Sequence, residues 1–368
     1  MLPLSKYAGP ATIAITVGYF LVGLWPFNFA PRNTVVWPPG ESALAFSPQS
    51  IVFSEYPIEL SSGSITIELL LTSELDALHD IHCILSLYDG AIPSNLLIGQ
   101  WKSSLLLRVP LWDSAGRRKY REVGVIDALR NGRLRFIALT SGPAGTAVYV
   151  DGILARAWPR IVPQSGTLRG RLILGSSAAG GRSWIGKLFG LAVYDAALGA
   201  SDISRHNQLW SARRAADLST EPALAALYAI DEKHGHTLPD LSANGRALLI
   251  PDSYHVIHKT VLAPPWTESL RNFSHIEDIV INILGFVPFG FCFFIHLTYS
   301  RPGRWFKNTL WTVLSAGVVS LAIELIQVYL PTRSSSLTDL MCNVAGAVLG
   351  VIFAGGFSLV FRRAGKRV

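Results

Sequence analysis

Charged residues are scarce in this sequence: Asp, Glu, Lys and Arg make up 15% of the 368 residues, whereas 50% are hydrophobic. The mean hydropathy is accordingly positive, at +0.35. Soluble domains usually contain about 25% charged residues. The composition therefore argues against an ordinary soluble protein and favours one with a membrane component.

Cysteine is also rare, and the three cysteines (Cys83, Cys292 and Cys342) lie in segments of different character. This distribution provides no basis for a disulfide framework. The sequence lacks the G-x-S-x-G, Walker and H-E-x-x-H motifs as well. Their absence removes the common hydrolase and nucleotide-hydrolysing classes from consideration.

Apolar runs long enough to cross a bilayer, about 17–25 residues, occur four times. They are Tyr7–Trp25, Ile279–Leu297, Leu310–Leu330 and Leu337–Phe361. The first run is short and follows Lys6, as in a signal peptide. However, no small-residue cleavage site follows it, and its WPFNF sequence is typical of an interfacial anchor. We therefore predict four transmembrane helices.

Residues 37–256 have a different sequence pattern, with short strand-like segments and turn residues in place of long apolar runs. Many short strands at close spacing predict an all-β sandwich or barrel. Asp151-Gly152, between apolar alternations, predicts a hairpin with a two-residue turn. The predicted strand segments are Ser64–Leu71, Cys83–Asp89, Asn95–Trp101, Ser104–Val109, Arg133–Thr140 and Gly145–Ala155.

The distribution of charged residues predicts which side of the membrane each segment occupies. Residues 37–256 contain 20 basic and 20 acidic residues, so the net charge of +7 belongs to the other segments. With the N-terminus inside, the cytoplasmic parts contain no acid, and their basic residues are Lys6, Arg301, Arg304, Lys307, Arg362, Arg363, Lys366 and Arg367. This positive-inside distribution predicts cytoplasmic termini and an extracytoplasmic insert. It is a topology signal and does not indicate nucleic-acid binding. Within the insert, the basic run Arg117–Arg121 predicts a solvated loop face.

Each of the three later apolar runs carries polar residues at i, i+4 and i+7, which places them on one helical face. Every run contributes one carboxyl and one carboxamide, and the predicted topology puts them all near the outer side. The stripes are Asp278, Asn282 and Gly285; Ser320, Glu324 and Gln327; and Asp339, Asn343, Gly346 and Gly350.

A charge at the centre of a membrane costs about 2.5–3.5 kcal/mol on insertion scales, so these groups are expected to face one another or a water-filled cavity. Arg333 is the basic residue at the same level, with His275 nearby. Two interpretations remain open for the set: interhelical hydrogen bonds that hold the helices together, and a functional pocket. The clustering of all the groups on one side favours the pocket.

At these residues the sequence resembles the VanZ family of small multi-pass bacterial membrane proteins, which is named after a teicoplanin-resistance accessory protein. The resemblance covers residues 7–33 and 256–361. It rests on an N-x-x-x-F-x-P-x-G element (282–290), the Glu324 and Gln327 pair, Arg333, and a D-x-x-x-N-x-x-G closure (339–346). The resemblance implies a cell-envelope role, with antibiotic resistance among the possibilities, and no settled biochemical activity.

The insert resembles a laminin G-like, concanavalin A-type jelly roll in three elements, Thr146–Ala155, Leu168–Ile203 and Leu227–Pro251. The last element opens the domain in many relatives and closes it here, which implies a permuted strand order. The resemblance implies recognition of a glycan or a protein, in some relatives through calcium. No glycan-contact or calcium residue can be carried over, and Asp151 is better explained as a turn residue.

The predicted organisation is a first transmembrane helix with its anchor (1–36), an extracytoplasmic sandwich (37–256), and transmembrane helices two to four with a basic cytoplasmic tail (257–368). The predicted function is binding of an envelope ligand, of lipid-linked glycan or lipoglycopeptide type, by a multi-pass cell-membrane protein. The expected partners are bilayer lipid, an envelope glycan or lipid-linked precursor, and an envelope protein. The hypothesised ligand-binding residues are Asp278, Asn282, Glu324, Gln327, Arg333, Asp339 and Asn343.

Two alternatives remain open for the function. One is a membrane-embedded enzyme that acts on a lipid headgroup, which the lack of an evident nucleophile or metal-ligand set disfavours. The other is a membrane-anchored module in which the sandwich alone binds a glycan or a protein. No catalytic residue, metal or cofactor is predicted, with calcium in the sandwich left as an alternative.

Overall fold

The computed structural model describes residues 2–74, 80–92, 94–112, 118–130, 132–162, 168–181, 183–265 and 273–364. The chain forms two compact units, one of residues Ala30–His258 and one that joins Met1–Phe29 to Lys259–Val368. Lys366 and Arg367 of the predicted basic tail lie outside the described residues. The helices are α1 (Leu2–Gly23), α2 (Ala200–Ser211), α3 (Phe273–Ser300), α4 (Trp305–Gln327) and α5 (Leu337–Ala364).

The unit of residues 30–258 is an antiparallel sandwich of two sheets, which confirms the predicted all-β architecture. Its strands are β1 (Leu44–Phe46), β2 (Val52–Ser54), β3 (Ile58–Glu59), β4 (Ile65–Ser73), β5 (His82–Tyr88), β6 (Leu96–Trp101), β7 (Ser104–Trp112), β8 (Arg118–Val125), β9 (Arg135–Gly142), β10 (Gly145–Val150), β11 (Ile153–Trp158), β12 (Arg169–Leu174), β13 (Gly186–Tyr194), β14 (Leu224–Tyr228), β15 (Thr237–Leu238) and β16 (Leu248–Leu249).

Strand order shows how the two sheets are built from distant parts of the chain. The first sheet runs β1-β13-β4-β9-β10-β11, with β14 beside β13. The second runs β15-β16-β2-β12-β5-β6-β7-β8, with β3 beside β12. The late strands β12 and β13 thus pair with early ones, so each sheet closes only after most of the insert has been synthesised.

The core lies between the sheets and follows the alternation of apolar residues along the strands. Ile65, Ile67 and Leu69 of β4 are at most 1% exposed and pack with inward-facing residues of the second sheet such as Leu85 and Leu172. Burial of each such side chain contributes about 1.5–3 kcal/mol. The six predicted strand segments correspond to β4, β5, β6, β7, β9 and the β10–β11 hairpin.

The β10–β11 hairpin confirms the predicted turn. Asp151 and Gly152 both have positive φ, 52° and 80°, which is the backbone geometry that an Asp-Gly turn supplies at low cost. The Asp151 carboxylate also accepts a hydrogen bond from the backbone N–H of Phe136 at 3.1 Å and pairs with Arg135. These contacts agree with the structural role assigned to Asp151.

The basic run at Arg117–Arg121 differs from the prediction. Arg118–Val125 forms β8, which pairs with β7 at the end of the second sheet's order. Residues 119–122 are exposed, as predicted, but they belong to a strand and not to a loop. Charged side chains are common on edge strands because they discourage pairing with another chain. Arg117 lies outside the described residues.

Helix α2 and a 3-10 turn (Ala215–Thr220) contribute to a second apolar cluster, together with outward-facing residues of the first sheet. Glu68 is completely buried there. Its Oε1 lies 2.6 Å from His206 Nδ1, and its Oε2 accepts a hydrogen bond from Trp210 Nε1 at 2.9 Å. A buried carboxyl requires such partners. The contacts tie α2 to the sheet, and nothing in the sequence pattern predicts them.

Three of the helices contain described segments long and apolar enough to cross a membrane. They are Ile276–Ser300, Trp305–Gln327 and Leu337–Gly356. The sequence predicts four. Helix α1 forms over the predicted first run, but its described part is not among these segments, because Lys6, Pro10 and three glycines dilute its apolar residues.

Helices α3 and α5 run parallel and approach closely through glycines. A Cβ at Gly346 would lie 2.1 Å from the carbonyl oxygen of Ile283, and one at Gly350 would lie 2.3 Å from that of Val287. On the other side, a Cβ at Gly290 would lie 2.1 Å from the carbonyl oxygen of Ala347. Only glycine permits this backbone approach, which small-residue motifs provide in membrane helices.

Gly346→Ala is therefore expected to destabilise the helical unit by about 1–3 kcal/mol through overpacking. The measurement is the thermal unfolding of purified protein in detergent. Gly355→Ala is the matched control on the same helix, since a Cβ there meets nothing within 4 Å. Equal midpoints for the two variants would contradict the close packing of α3 and α5.

Asp195 provides a pH-dependent contribution to the sandwich. Its carboxylate accepts hydrogen bonds from the backbone N–H and hydroxyl of Ser61 at 3.0 and 2.9 Å and from the Ser62 N–H at 2.9 Å. Burial acts to raise the pKa of Asp195, but the hydrogen bonds from Ser62 and Ser61 outweigh it and hold the pKa below its usual value.

A carboxyl whose pKa is depressed by folding stabilises the protein above its unfolded pKa, and the contribution is lost as the pH falls through the folded pKa. Asp195→Asn is expected to cost about 1–2 kcal/mol at pH 7, and the difference from wild type should shrink as the pH falls below about 4. Unfolding at pH 7 and at a pH below about 4, followed by near-ultraviolet circular dichroism, measures the free energy of unfolding of each variant. Glu55→Gln, at an exposed position, should show neither effect.

Candidate functional site

The helical unit contains a cavity of about 720 Å³. It lies where the C-terminal ends of α1 and α4 meet the N-terminal halves of α3 and α5. All seven residues that the sequence predicts to bind a ligand line it: Asp278, Asn282, Glu324, Gln327, Arg333, Asp339 and Asn343. The three polar stripes therefore converge on one space.

Helix α3 contributes Asp278, Asn282 and Gly285 from the single face that their spacing predicts. Asp278 is exposed and Asn282 is half-buried. The Tyr19 hydroxyl of α1 donates to the carbonyl oxygen of Gly285 at 2.5 Å. The Tyr19 ring stacks on Phe286, with centroids 4.5 Å apart. These contacts attach α1 to α3 at the wall of the cavity.

Glu324 connects the end of α4 to the start of α5. It is 3% exposed, and its Oε2 accepts a hydrogen bond from the backbone N–H of Ser336 at 2.7 Å. Ser336 immediately precedes α5, and its hydroxyl accepts a hydrogen bond from the N–H of Asp339 at 3.2 Å. The first N–H groups of a helix have no partner within it and favour nearby negative charge. Glu324 and Ser336 together satisfy two N–H groups at this helix start, those of Ser336 and Asp339.

Two predicted site residues bind the chain at the end of α1. Gln327 Nε2 donates to the carbonyl oxygen of Gly23 at 2.8 Å. The Nε and Nη2 atoms of Arg333 both donate to the carbonyl oxygen of Trp25 at 3.2 Å. Arg333 nevertheless remains exposed. Both residues therefore anchor α1 through backbone oxygens while they line the cavity.

Asn343 is a buried polar residue that α5 contributes to the lining. It is 7% exposed, and its Nδ2 donates to the Ser320 hydroxyl of α4 at 2.9 Å. Its Oδ1 is buried and has no hydrogen-bond partner among the described residues. Buried amide oxygens are rarely left unpaired, because desolvation costs about 1–3 kcal/mol. A role in holding α5 to α4 explains the hydrogen bond from Nδ2, but it does not explain the buried Oδ1.

The loop before α5 is held by Lys259, which follows the sandwich. Its Nζ donates to the carbonyl oxygens of Leu330, at 2.8 Å, and of Arg333. Burial lowers the pKa of Lys259. Backbone bonds between Ala263 and Ser335 and between Leu337 and Ala263 continue this contact. The loop that carries Arg333 is thus fixed from both sides.

The two sequence interpretations apply to different members of the set. Glu324, Gln327 and Arg333 bind backbone groups of neighbouring segments, as the structural interpretation predicts. Asp278 and Asn282 have no side-chain hydrogen bond within the described ranges, and Asn343 keeps a buried acceptor. The side chain of His275 lies outside the described residues.

Sequence reasoning missed Tyr19 and Ser336. Ser336 carried a detectable signal, since Ser336-Leu-Thr-Asp339 resembles a helix-capping sequence at the start of an apolar run. Tyr19 carried none, because an aromatic residue in an apolar run is ordinarily a packing residue. Its hydrogen bond depends on α1 meeting α3.

The sandwich has a separate cavity of about 780 Å³ that includes Cys83, Trp101, Arg108 and Glu122 in its lining. Trp101 is 41% exposed, and Arg108 pairs with Glu122 at 2.5 Å. Burial raises the pKa of the Cys83 thiol to about 12, so it is a thiol at neutral pH and a poor nucleophile. No group of three His, Cys, Asp or Glu residues suited to a metal occurs among the described residues.

Glu324 variants separate hydrogen bonding from charge at the start of α5. Glu324→Leu leaves the Ser336 N–H without an acceptor and is expected to cost about 1–3 kcal/mol. Glu324→Gln keeps an oxygen at the same position and should cost clearly less. Thermal unfolding in detergent gives both values. Equal losses would show that the charge, and not the hydrogen bond, supports this helix start.

Solved structures that match part of this chain are remote from it. A Bacteroides ovatus protein assigned to carbohydrate binding has 18% identity and a TM-score of 0.40, over 59% of this chain and 61% of its own. A SAP-like pentraxin from Limulus polyphemus has 16% identity and a TM-score of 0.33, over 47% of this chain and 80% of its own. At such scores the similarity bears on neither ligand nor calcium.

A third solved structure is the CBM40 module of a Ruminococcus gnavus IT-sialidase, bound to sialyllactose. It has 12% identity and a TM-score of 0.35, over 45% of this chain and 97% of its own. The chain spans less than two thirds of the Bacteroides ovatus protein's length. No curated protein matches the chain significantly.

The helical region matches a known family. The model described as VanZ/LLP1 aligns with residues 232–360, a range that contains α3, α4 and most of α5. This match confirms the resemblance over residues 256–360, which contain the N-x-x-x-F-x-P-x-G element, the Glu324 and Gln327 pair, Arg333 and the D-x-x-x-N-x-x-G closure. It does not extend to residues 7–33. The C-terminal region of this chain, residues 232–360, is thus of VanZ/LLP1 type.

Proposed function

We propose that this chain is a bacterial cell-envelope membrane protein whose helical cavity binds an envelope ligand of lipid-linked glycan or lipoglycopeptide type. The observation that carries the proposal is the convergence of all seven predicted polar residues on one cavity. Asp278 and Arg333 would meet charged groups of the ligand at the exposed part of the lining. Asn282 and Asn343 would orient it through hydrogen bonds.

Energetics support binding over a purely structural role for part of this set. An interhelical hydrogen bond in a membrane protein contributes about 0.6 kcal/mol on average, whereas an unsatisfied buried polar group costs about 1–3 kcal/mol. The Oδ1 of Asn343 has no partner in the described part of the chain, so it incurs the cost without the gain. A bound hydrogen-bond donor would remove that cost.

The proposal includes four membrane helices, with α1 as the first. Close contacts support α1 as part of the bundle: Tyr19 bonds Gly285, and Gln327 bonds Gly23. Helix directions agree with the charge pattern, because α1 and α4 run opposite to α3 and α5. With the basic segments inside, both termini are cytoplasmic, and the sandwich and the cavity lie on the outer side.

For the sandwich we propose a permuted concanavalin A-type jelly roll that recognises a glycan or a protein. We propose that this domain comprises residues 37–256. The exposed Trp101 and the Arg108–Glu122 pair line one cavity. They support recognition of a ligand with both apolar and polar faces, since exposed aromatic rings and charged hydrogen-bonding groups serve such contacts. Calcium remains a proposal without an identified ligand set.

The test is binding of a fluorescent lipoglycopeptide, and of a fluorescent lipid-linked disaccharide, to the full chain in nanodiscs. Asn282→Leu should weaken binding about tenfold, which corresponds to the loss of about 1.4 kcal/mol, with little change in thermal stability. Asn308→Leu is the control. It removes a part-buried hydrogen bond to the carbonyl oxygen of Arg301 near the other end of α4 and should lower stability without changing affinity.

The outcomes separate the alternatives. If Asn282→Leu binds the fluorescent probes with unchanged affinity, the cavity proposal is wrong. Turnover of the lipid-linked disaccharide by purified protein would replace it with the enzyme alternative. A further variant fuses residues 37–256 to an unrelated transmembrane anchor. If this variant retains all of the binding, the result favours the membrane-anchored module.

A further inference from the structure

The helical cavity has a polar half and an apolar half. The hydrogen bond from the Tyr19 hydroxyl to the carbonyl oxygen of Gly285, at 2.5 Å, places these two lining residues at one level of the bundle. Asp278 and Asn282 lie towards the N-terminus of α3 from that level, Asp278 by about 10 Å at the rise of an α-helix. The apolar half is lined by Ile15, Gly18, Tyr19, Gly285, Phe286 and Pro288.

The polar side chain in this apolar half already has its partner. The Tyr19 hydroxyl donates to Gly285, and the Tyr19 ring stacks on Phe286. A ligand group that enters beside these residues therefore gains mainly dispersion contacts. A polar group there would lack partners, which is unfavourable in a buried site. The apolar half thus suits a hydrocarbon group.

Two glycines of the apolar half have no packing explanation. A Cβ at Gly18 of α1 or at Gly285 of α3 would meet no atom of the described residues within 4 Å. At Gly346, by contrast, a Cβ would lie 2.1 Å from the carbonyl oxygen of Ile283. Close helix packing therefore accounts for Gly346 but not for the other two. Glycine is less favourable than alanine inside a helix, so space along the backbone is what Gly18 and Gly285 provide.

An independent observation points to a ligand in the same cavity. Asn343 is 7% exposed, its Nδ2 donates to Ser320, and its Oδ1 is buried without a partner among the described residues. It belongs to the polar half, because it lies one turn before Gly346, which abuts Ile283 of the parallel helix α3. A ligand that meets Asn343 and also fills the space at Gly285 has a polar head and an apolar chain.

We infer that the apolar half of the cavity holds the hydrocarbon chain of the ligand next to its polar head, and that Gly18 and Gly285 admit this chain. The inference rests on the proposed use of the cavity as a binding site and assigns the chain a place within it. Bilayer lipid is as apolar as the chain, so burial from water does not drive this contact. Dispersion contact with the helix backbone at the two glycines favours it.

The experiment compares ligands that share a head and differ in the chain, with the full chain of the protein in nanodiscs. The probes are a fluorescent lipoglycopeptide and its deacylated form, each corrected for binding to empty nanodiscs. Gly285→Leu fills the space and should weaken binding of the acylated form about tenfold, as overpacking predicts. Binding of the deacylated form should change by less than about twofold. Gly18→Leu should act in the same way.

A second pair of probes distinguishes the sources of the chain. It consists of a fluorescent lipid-linked disaccharide with a long prenyl chain and the same disaccharide on a single prenyl unit. A loss in Gly285→Leu that is confined to the acylated lipoglycopeptide assigns the apolar half to acyl chains. A loss that is confined to the long prenyl chain assigns it to prenyl chains.

Gly355→Leu is the matched control. It makes the same substitution at a helical glycine whose Cβ also has room, but which does not line the cavity, and it should change neither affinity. Equal weakening of the acylated and deacylated forms by Gly285→Leu overturns the inference, because it shows that the head is disturbed. Unchanged affinity for all the probes that bind wild type overturns it too. If Gly285→Leu does not fold, Gly285→Ala provides the same comparison with a smaller expected loss.

Photo-crosslinking tests the inference without an envelope ligand. The probe is phosphatidylglycerol with a diazirine on its acyl chain, in nanodiscs, and mass spectrometry locates the labelled residues of α1. Val17 and Leu21 are exposed and do not line the cavity, so they report contact with bulk lipid. Labelling of Ile15 relative to these two should fall several-fold in Gly285→Leu and stay unchanged in Gly355→Leu.

Failure of this inference is distinguishable from failure of the proposed function. If Asn282→Leu weakens binding of the lipoglycopeptide while Gly285→Leu affects its acylated and deacylated forms equally, the cavity binds a ligand but the chain inference is wrong. If neither envelope probe binds while Gly285→Leu lowers the labelling of Ile15, the inference stands and the proposed ligand type is wrong. If neither probe binds and the labelling is unchanged, both are wrong.

Discussion

Polar groups carried by apolar helices must find partners within the protein, and the hydrogen bond from the Ser336 N–H to Glu324 is the contact on which the helical unit most depends. It joins the end of α4 to the start of α5 in a buried position. The Glu324 carboxylate accepts one N–H group of the helix start, and the Ser336 hydroxyl accepts a second, that of Asp339. This arrangement sets where the first turns of α5 lie, and hence where Asp339 and Asn343 enter the cavity.

Close packing of α3 against α5 supplies the second constraint. Because Gly290, Gly346 and Gly350 lack a Cβ, the two backbones approach until carbonyl oxygens would collide with any larger residue. Tyr19 then joins α1 to the same pair by stacking on Phe286 and bonding Gly285. Polar residues of α3, α4 and α5, and of the loop between α4 and α5, therefore meet at the cavity. The cavity results from tight packing around it and not from loose helices.

Glu68 is a buried polar residue of the sandwich whose hydrogen bonds are all structural. Glu68 is as fully buried as any residue in the chain, yet both of its oxygens are engaged, by His206 and Trp210. Such a network serves to join α2 to the sheet and offers nothing to a ligand. Asn343, by contrast, keeps one amide oxygen without a partner among the described residues. Glu68 therefore has a structural role, whereas the hydrogen bonds of Asn343 leave one of its polar atoms unused.

Local signals in the sequence predicted part of the elements. Alternation predicted β4 to β7 and β9 to β11, long apolar runs predicted α3 to α5, and a spacing of i, i+4 and i+7 predicted that Asp278, Asn282 and the others share helical faces. These properties depend on neighbours a few residues apart, so periodicity reports them. The first apolar run was harder to interpret because Lys6, Pro10 and its glycines weaken the same signal.

Hydrogen-bond partners could not be predicted in this way. Glu324 meets a backbone N–H that lies 12 residues further along the chain. Tyr19 meets an oxygen 266 residues away, and Arg333 meets one 308 residues away. The last two pairings exist only once helices from opposite ends of the sequence lie side by side. Residue type and spacing could thus establish which polar side chains share a face, while the packing of the helices assigned some of them to structural hydrogen bonds and left others available to a ligand.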